Sequence, residues 1–131
     1  MRRGLAPYER SAVVAGEPQA DCLFCKIVAG EIPATVVRET ATTIAFRDIN
    51  PKAPTHVLVI PRVHYPDAAA LAAGDPAAAA AVLREAGEVA VQEKVEGTGY
   101  RIIFNTGEGA GQTVFHAHAH VLAGRDLRQL V

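Results

Sequence analysis

The sequence predicts an α+β domain in which helices cover one face of an antiparallel sheet. Apolar and β-branched runs of strand length recur along the chain, and only two stretches carry the caps and periodicity of helices. Their order is helix, three strands, long helix and two strands, and the connections favour antiparallel pairing. With 131 residues, the chain is long enough for one domain with a real core.

The first half of the chain predicts one short helix and three strands. Asp21 can cap a helix that continues to about Ala29 and ends at Gly30. The strand runs are rich in β-branched and apolar residues. They span residues 35–39, 42–47 and 56–60. A loop with two prolines, residues 48–54, precedes the third strand.

The second half predicts the long helix and two further strands. Asp75 followed by Pro76 is a helix start signal, and the helix should continue to about Glu96, with Gly97 ending it. The last two strand runs span residues 100–105 and 114–122.

Composition and charge exclude several classes of protein. Thirteen basic and fourteen acidic side chains leave the chain near neutral, without the basic excess of a nucleic-acid-binding domain. No apolar stretch reaches the length of a membrane span. Residues 1–20 lack periodicity and are interpreted as a flexible tail before the domain, residues 21–131. We expect a cytoplasmic protein with no membrane and no nucleic-acid partner.

Three histidines occupy every second position near the C-terminus, namely His116, His118 and His120. In a strand, alternate side chains share a face, so the three rings should point the same way. Imidazole can be a nucleophile, an acid, a base or a metal ligand near neutral pH. A polar strand face or a tract that binds metals loosely is the alternative, but the segments upstream favour a site.

The loop before the histidines has the composition of a phosphate-binding loop. Its glycines, which include Gly107 and Gly111, allow positive φ and a close approach of the main chain to a ligand. Exposed N–H groups of such a loop bind phosphate oxygens. Gln112 and Thr113 add side-chain donors. Donors beside a nucleophilic ring favour phosphoryl or nucleotidyl transfer.

The only two cysteines form a Cys-x-x-Cys pair, Cys22 and Cys25. With His64 and His116 they make a plausible tetrahedral zinc set if the fold brings the four together. Two buried free thiols and an unrelated surface His64 fit the spacing equally well. A redox pair ranks third, because no thioredoxin-like βαβ pattern surrounds it.

Two further residues could belong to a site. His56 begins the central strand, where a lone histidine is usually structural. Asp48 lies in the loop before it and either accepts hydrogen bonds from a ribose or forms a turn.

Taken together, these segments resemble the histidine triad family in its Hint-like branch. Residues 116–122 match the pattern His-x-His-x-His followed by two apolar residues. Five other segments are also similar. They are residues 21–27, 30–34, 46–51, 53–61 and 111–116. The resemblance implies a five-stranded antiparallel sheet with two helices. It also implies a homodimer in which two sheets join into one of ten strands.

Members of this family are purine-nucleotide-binding hydrolases and transferases. The resemblance implies cleavage of purine nucleoside 5′-phosphoramidates through a nucleotidyl-histidine intermediate. His118 would attack the α-phosphorus, and His120 would contact the phosphate and help with proton transfer. His116 would orient the nucleophile through its main-chain carbonyl, and His56 would complete the cluster.

The resemblance also assigns the nucleotide-binding residues. Asn105, Gln112 and Thr113 would bind phosphate together with the loop at Gly111, and Asp48 would hold the ribose hydroxyls. Six apolar side chains would form the base pocket. They are Leu23, Phe24, Ile27, Phe46, Ile49 and Leu58.

Family members with the Cys-x-x-Cys pair often bind structural Zn²⁺ through positions that here are Cys22, Cys25, His64 and His116. Many others carry Thr or Ser and Gly at the cysteine positions and bind no zinc. The resemblance therefore favours a zinc site in this chain, and no organic cofactor is expected.

Two other functions remain open. One is a dinucleoside polyphosphate hydrolase or nucleotidyltransferase of the same superfamily, and the other is a non-catalytic nucleotide-binding or scaffold protein. Thr113 and the segment around His56 favour the phosphoramidase. The intact triad argues against a pure binder, because binding alone needs no nucleophile.

Overall fold

The computed structural model describes residues 15–130 and confirms the predicted α+β fold. Its five strands form one antiparallel sheet in the order β1-β2-β3-β5-β4. The strands are β1 Val36–Glu39, β2 Thr43–Arg47, β3 Thr55–Pro61, β4 Arg101–Ile103 and β5 Ala119–Ala123. The pairing of two such sheets in a homodimer stays a prediction.

Three α-helices accompany the sheet, one more than predicted. They are α1 Leu23–Val28, α2 Ala68–Gly74 and α3 Pro76–Gln92. Asp67 caps the unpredicted α2, because its carboxylate accepts a hydrogen bond from the Ala70 amide at 2.9 Å. Only Leu71 of α2 is buried, so this alanine-rich stretch carries no apolar periodicity that would reveal a helix.

The ends of the predicted helices differ in detail from the structure. Cys22, and not Asp21, caps α1, since its Sγ accepts from the Cys25 amide at 3.3 Å. Asp75 caps α3 as predicted, but that helix ends at Gln92 and not at Glu96. Two residues after the helix, Lys94 has a φ of 62°, and the next residue, Val95, is buried against Ala90 and Ala123.

The helices lie on both faces of the sheet, so the expectation of helices on one face is wrong. Val57 and Val59 of β3 pack with α2 and α3, whereas Leu58 and Ile60 pack with α1 on the opposite face. Every residue of β3 is buried. A central strand that is apolar on both sides needs cover on both sides, and α1 supplies the second cover.

The described part of the N-terminal tail lies along the domain. The main chain of Gly16 exchanges two hydrogen bonds with that of His64, at 3.0 and 3.1 Å. Residues 1–14 of the predicted flexible tail lie outside the described residues. Within residues 15–130, no helix is long and apolar enough to cross a membrane.

Candidate active site and metal centre

The segment that carries the three histidines contributes to two clusters of side chains. His116 belongs to a Cys/His cluster, and His120 belongs to a cluster with His56 and Asp48. Strand β5 begins only at Ala119, so His116 and His118 precede the strand and only His120 lies in it. The alanines between them pack into the core on the α3 side, as the alternation predicts. The histidines therefore lie on the opposite face, where α1 covers His116 and His118.

A main-chain hydrogen bond determines which nitrogen of His118 carries the proton. Its Nδ1 lies 2.7 Å from the main-chain carbonyl oxygen of His116. A carbonyl oxygen only accepts, so Nδ1 carries the proton and Nε2 keeps its lone pair. Phe24 packs against the ring with centroids 5.0 Å apart. Burial lowers the pKa of His118, so the ring is neutral at pH 7.

His120 and His56 complete the candidate active-site cluster beside His118. The rings of His118 and His120 lie 4.9 Å apart, and His56 Nε2 lies 2.9 Å from His120 Nδ1. An oxygen of Asp48 is 3.4 Å from His56 Nε2. Burial lowers the pKa of His56 and lowers that of His120 to about 4. The cluster is therefore uncharged on its three rings near pH 7.

The four predicted metal ligands converge from α1, the loop after β3 and the approach to β5. His116 Nδ1 lies 3.6 Å from Cys22 Sγ, 3.5 Å from Cys25 Sγ and 3.2 Å from His64 Nδ1. Cys25 Sγ and His64 Nδ1 are 3.3 Å apart. Ligands about 2.0–2.3 Å from one tetrahedral zinc ion are separated by about 3.3–3.8 Å. The donor positions therefore fit a zinc ion.

The chemistry of these donors fits a cation as well. His116 Nε2 donates to the Pro61 carbonyl at 2.8 Å, which leaves the lone pair of Nδ1 facing the other three donors. Burial raises the pKa of the Cys25 thiol to about 11, so a nearby cation is needed to hold it as a thiolate. Both cysteines are free of disulfides.

The predicted phosphate loop has the expected main-chain conformations at two of its glycines. Gly107 and Gly111 have φ values of 84° and 95°, on either side of a 3₁₀ turn, Glu108–Ala110. Gln112 is buried, and its side chain accepts from the Gly107 amide and donates to the carbonyls of Pro66 and Val114. Gln112 therefore closes the loop, while Thr113 is exposed beside it and Asn105 is half-buried.

The six side chains expected to form the base pocket separate into two groups. Phe24 of α1 is buried together with Phe46 of β2 and Leu58 of β3, and Ile27 of α1 packs against them. Leu23 is 43% exposed and Ile49 is 96% exposed. Four of the six are thus brought together, and base binding by all six stays a prediction.

Two main-chain groups and a cavity at this site have no signal in the amino-acid sequence. The main-chain groups are the Pro61 carbonyl and the Lys52 amide, which donates to His56 Nδ1 at 3.0 Å. A cavity of about 1030 Å³ opens beside the metal donors Cys22 and His64. It lies between α2 and the segment that precedes the histidines, and His118 and His120 do not line it.

The folded state is expected to lose stability as the pH falls from about 6.5 toward 4. Burial lowers the pKa of His120 to about 4 in the folded chain, from 6.5 for an ordinary histidine. Between these values the unfolded chain binds more protons, so acid favours unfolding by up to roughly 1.4 kcal/mol per pH unit for this ring. Urea unfolding of the wild type and of His120→Asn, followed from about pH 7 to about pH 4.5, measures the effect. The slope of stability against pH should be shallower in the variant, and equal slopes would contradict the assignment.

Comparison with known proteins connects this geometry to a family. The sequence model of the HIT domain matches residues 29–127, a range that contains all five histidines. A purine nucleoside phosphoramidase of Escherichia coli (strain K12) is 40% identical over 107 residues, which cover 82% of this chain and 90% of that protein. A 14 kDa zinc-binding protein of Zea mays is 40% identical over 122 residues, which cover 91% and 94%. A solved HIT family hydrolase from Clostridium thermocellum is similar with a TM-score of 0.80 at 40% identity, covering 83% of this chain and 95% of that one.

Proposed function

Because this chain belongs to the HIT domain family, we propose that it hydrolyses purine nucleoside 5′-phosphoramidates through a nucleotidyl-histidine intermediate. The observation that carries the proposal is the hydrogen bond from His118 Nδ1 to the His116 carbonyl, which leaves Nε2 as a free nucleophile. The name of the Escherichia coli relative supports the substrate class.

The proposed reaction has two steps at one phosphorus atom. His118 Nε2 attacks the α-phosphorus, a new N–P bond forms, and the bond to the substrate amine breaks as that amine takes up a proton. Water then attacks the same phosphorus, the bond to His118 breaks, and the nucleoside monophosphate leaves with release of a proton. The proton consumed in the first step is thus returned in the second. A neutral His118 is needed for the attack, and its lowered pKa keeps it neutral at pH 7.

The remaining residues of the proposed site bind and orient the nucleotide. The main chain of the loop that ends at Gly111, with Thr113 and Asn105, would bind the phosphate, and Gln112 would hold that loop closed. The carboxylate of Asp48 would accept hydrogen bonds from the ribose. The apolar cluster between α1 and strands β2 and β3 would contact the base.

The four convergent donors would hold a structural Zn²⁺ ion. Zinc bound there would tie α1 and the loop after β3 to the segment that carries the nucleophile. The site is already complete with four protein ligands, so it has no open position for substrate. The name of the Zea mays relative supports zinc binding.

We further propose that two copies pair through a sheet edge and act in the cytoplasm on purine nucleotides. Both β1 and β4 are edge strands, and pairing of one edge with its counterpart would give the ten-stranded sheet. The two free, buried thiols suit a reducing compartment.

Release of AMP from an adenosine 5′-phosphoramidate by the purified protein tests the function. We expect AMP and free amine in equal amounts, separated by chromatography. No AMP from this substrate, together with cleavage of diadenosine tetraphosphate, would replace the proposal with a polyphosphate hydrolase. Binding of AMP without cleavage of either compound would indicate a non-catalytic binder.

A further inference from the structure

The position of the proton on His56 is fixed by the main chain. The Lys52 amide donates to His56 Nδ1 at 3.0 Å. An amide N–H can only donate, so Nδ1 of His56 must present its lone pair, and the neutral ring carries its proton on Nε2. A proton on Nδ1 would set one N–H against another.

The proton on His56 in turn determines where His120 carries its own. His56 Nε2 lies 2.9 Å from His120 Nδ1, so this N–H donates and His120 Nδ1 accepts. The neutral His120 ring must then carry its proton on Nε2. The carboxylate of Asp48, 3.4 Å from His56 Nε2, is a second acceptor for the same N–H and favours the same arrangement.

The loop that supplies the Lys52 amide is held on both sides. The Arg125 guanidinium donates to the Lys52 carbonyl at 2.8 Å, and Ala53 is buried against Leu122 and Leu127. The Asp48 amide donates to the carbonyl of His56 at 3.0 Å. The direction of the hydrogen-bond chain is therefore built into the fold of this loop.

We infer that His56 is a positioning residue, set by the Lys52 amide, that fixes His120 with its N–H on Nε2 and so presents one donor beside the free lone pair of His118. Such a pair suits a phosphoryl group, because the lone pair meets phosphorus and the N–H meets a negatively charged oxygen. The identity of that ligand rests on the proposed function, whereas the arrangement of protons does not.

The same arrangement disfavours a metal ion at the active-site cluster. Asp48, His56 and His120 bring three possible ligand atoms within 4.8 Å of one another. A metal on His56 Nε2 would move the proton to Nδ1, against the Lys52 N–H. His116 has the opposite arrangement. Its Nε2 donates to the Pro61 carbonyl, and its Nδ1, which faces the other three donors, is free for a metal. Zinc should therefore occupy the Cys/His centre alone.

Nitrogen-15 NMR of the histidine rings in the nucleotide-free wild-type protein tests the inference directly. We expect His120 to show a protonated Nε2 and an unprotonated Nδ1, and His56 to show the same tautomer. A proton on Nδ1 of His120 would overturn the inference. Because no substrate is present, the result is independent of whether the protein cleaves phosphoramidates.

Two substitutions at position 56 separate positioning from simple packing. In His56→Gln the side-chain amide can accept from Lys52 and donate to His120, whereas His56→Leu can do neither. We expect His56→Leu to lower kcat by roughly 10- to 100-fold with little change in KM, and to mix the His120 tautomers, while His56→Gln recovers most of kcat. Equal losses in both variants, or an unchanged His120 tautomer in His56→Leu, would overturn the positioning role. The wild-type spectrum decides the question if His56→Leu does not fold.

Discussion

Replacement of His118 by Asn is expected to lower turnover of an adenosine 5′-phosphoramidate by about 10⁴-fold or more. The substitution removes the Nε2 lone pair that would form the covalent bond. In the inferred tautomers, the neighbouring rings of His56 and His120 carry their protons on Nε2 and use their Nδ1 lone pairs as acceptors. Binding of AMP should change little, because the attacking nitrogen contributes little to ground-state affinity. Steady-state AMP release and calorimetric titration with AMP measure the two quantities.

A trapping experiment provides the control for this prediction. When the reaction is quenched early, mass spectrometry should find one nucleotidyl group on the wild-type chain and none on His118→Asn. His120→Asn keeps the nucleophile, so it should still form the adduct, but more slowly. Turnover by His118→Asn within about tenfold of the wild type would place the nucleophile elsewhere.

Among the changes proposed for this protein, loss of the proposed metal centre is expected to lower the free energy of unfolding the most. Cys25→Ser should bind no zinc and should unfold with a free energy lower by about 3 kcal/mol or more, because the energy of a bound structural zinc ion is energy of folding. For a chain of this size the midpoint of thermal unfolding should fall by roughly 10 °C. Elemental analysis and urea unfolding measure the two effects, with about one zinc per wild-type chain expected.

A chelator distinguishes loss of metal from loss of a buried thiol. Removal of zinc from the wild type should lower its stability to nearly that of Cys25→Ser, and the same treatment should leave the variant unchanged. A purified wild-type protein that contains no metal and has two titratable thiols would end the zinc proposal.

The sequence was sufficient for most of the fold because its signals were local. The capping pair Asp75 and Pro76 and the apolar strand runs needed no knowledge of the rest of the chain. Helix α2 was missed because a run of alanines with one buried leucine has no periodicity to detect. The position of α1 on the second face was missed because local pattern does not reveal which face a short helix covers.

In the candidate site, the side chains could be predicted from the sequence, whereas the main-chain groups could not. The histidines and cysteines were found because their side chains are chemically distinctive, and the fold does bring them together. The groups that set their protons are carbonyls of Pro61 and His116 and an amide of Lys52. Every residue type has a carbonyl and nearly every type has an amide, so only the folded chain shows which ones act.

The hydrogen bond between His118 and the main chain affects how this protein can change over evolutionary time. The acceptor for His118 is the main-chain oxygen of His116, while the proposed metal ligand is the ring of the same residue. A mutation at position 116 removes the ring but leaves the oxygen in the chain. A descendant that lost its zinc ligands one by one would keep the atom that orients its nucleophile, provided that its core compensated for the lost stability. Mutational drift can therefore remove the proposed metal centre and keep the acceptor for His118, whereas any substitution of His118 itself removes the proposed nucleophile.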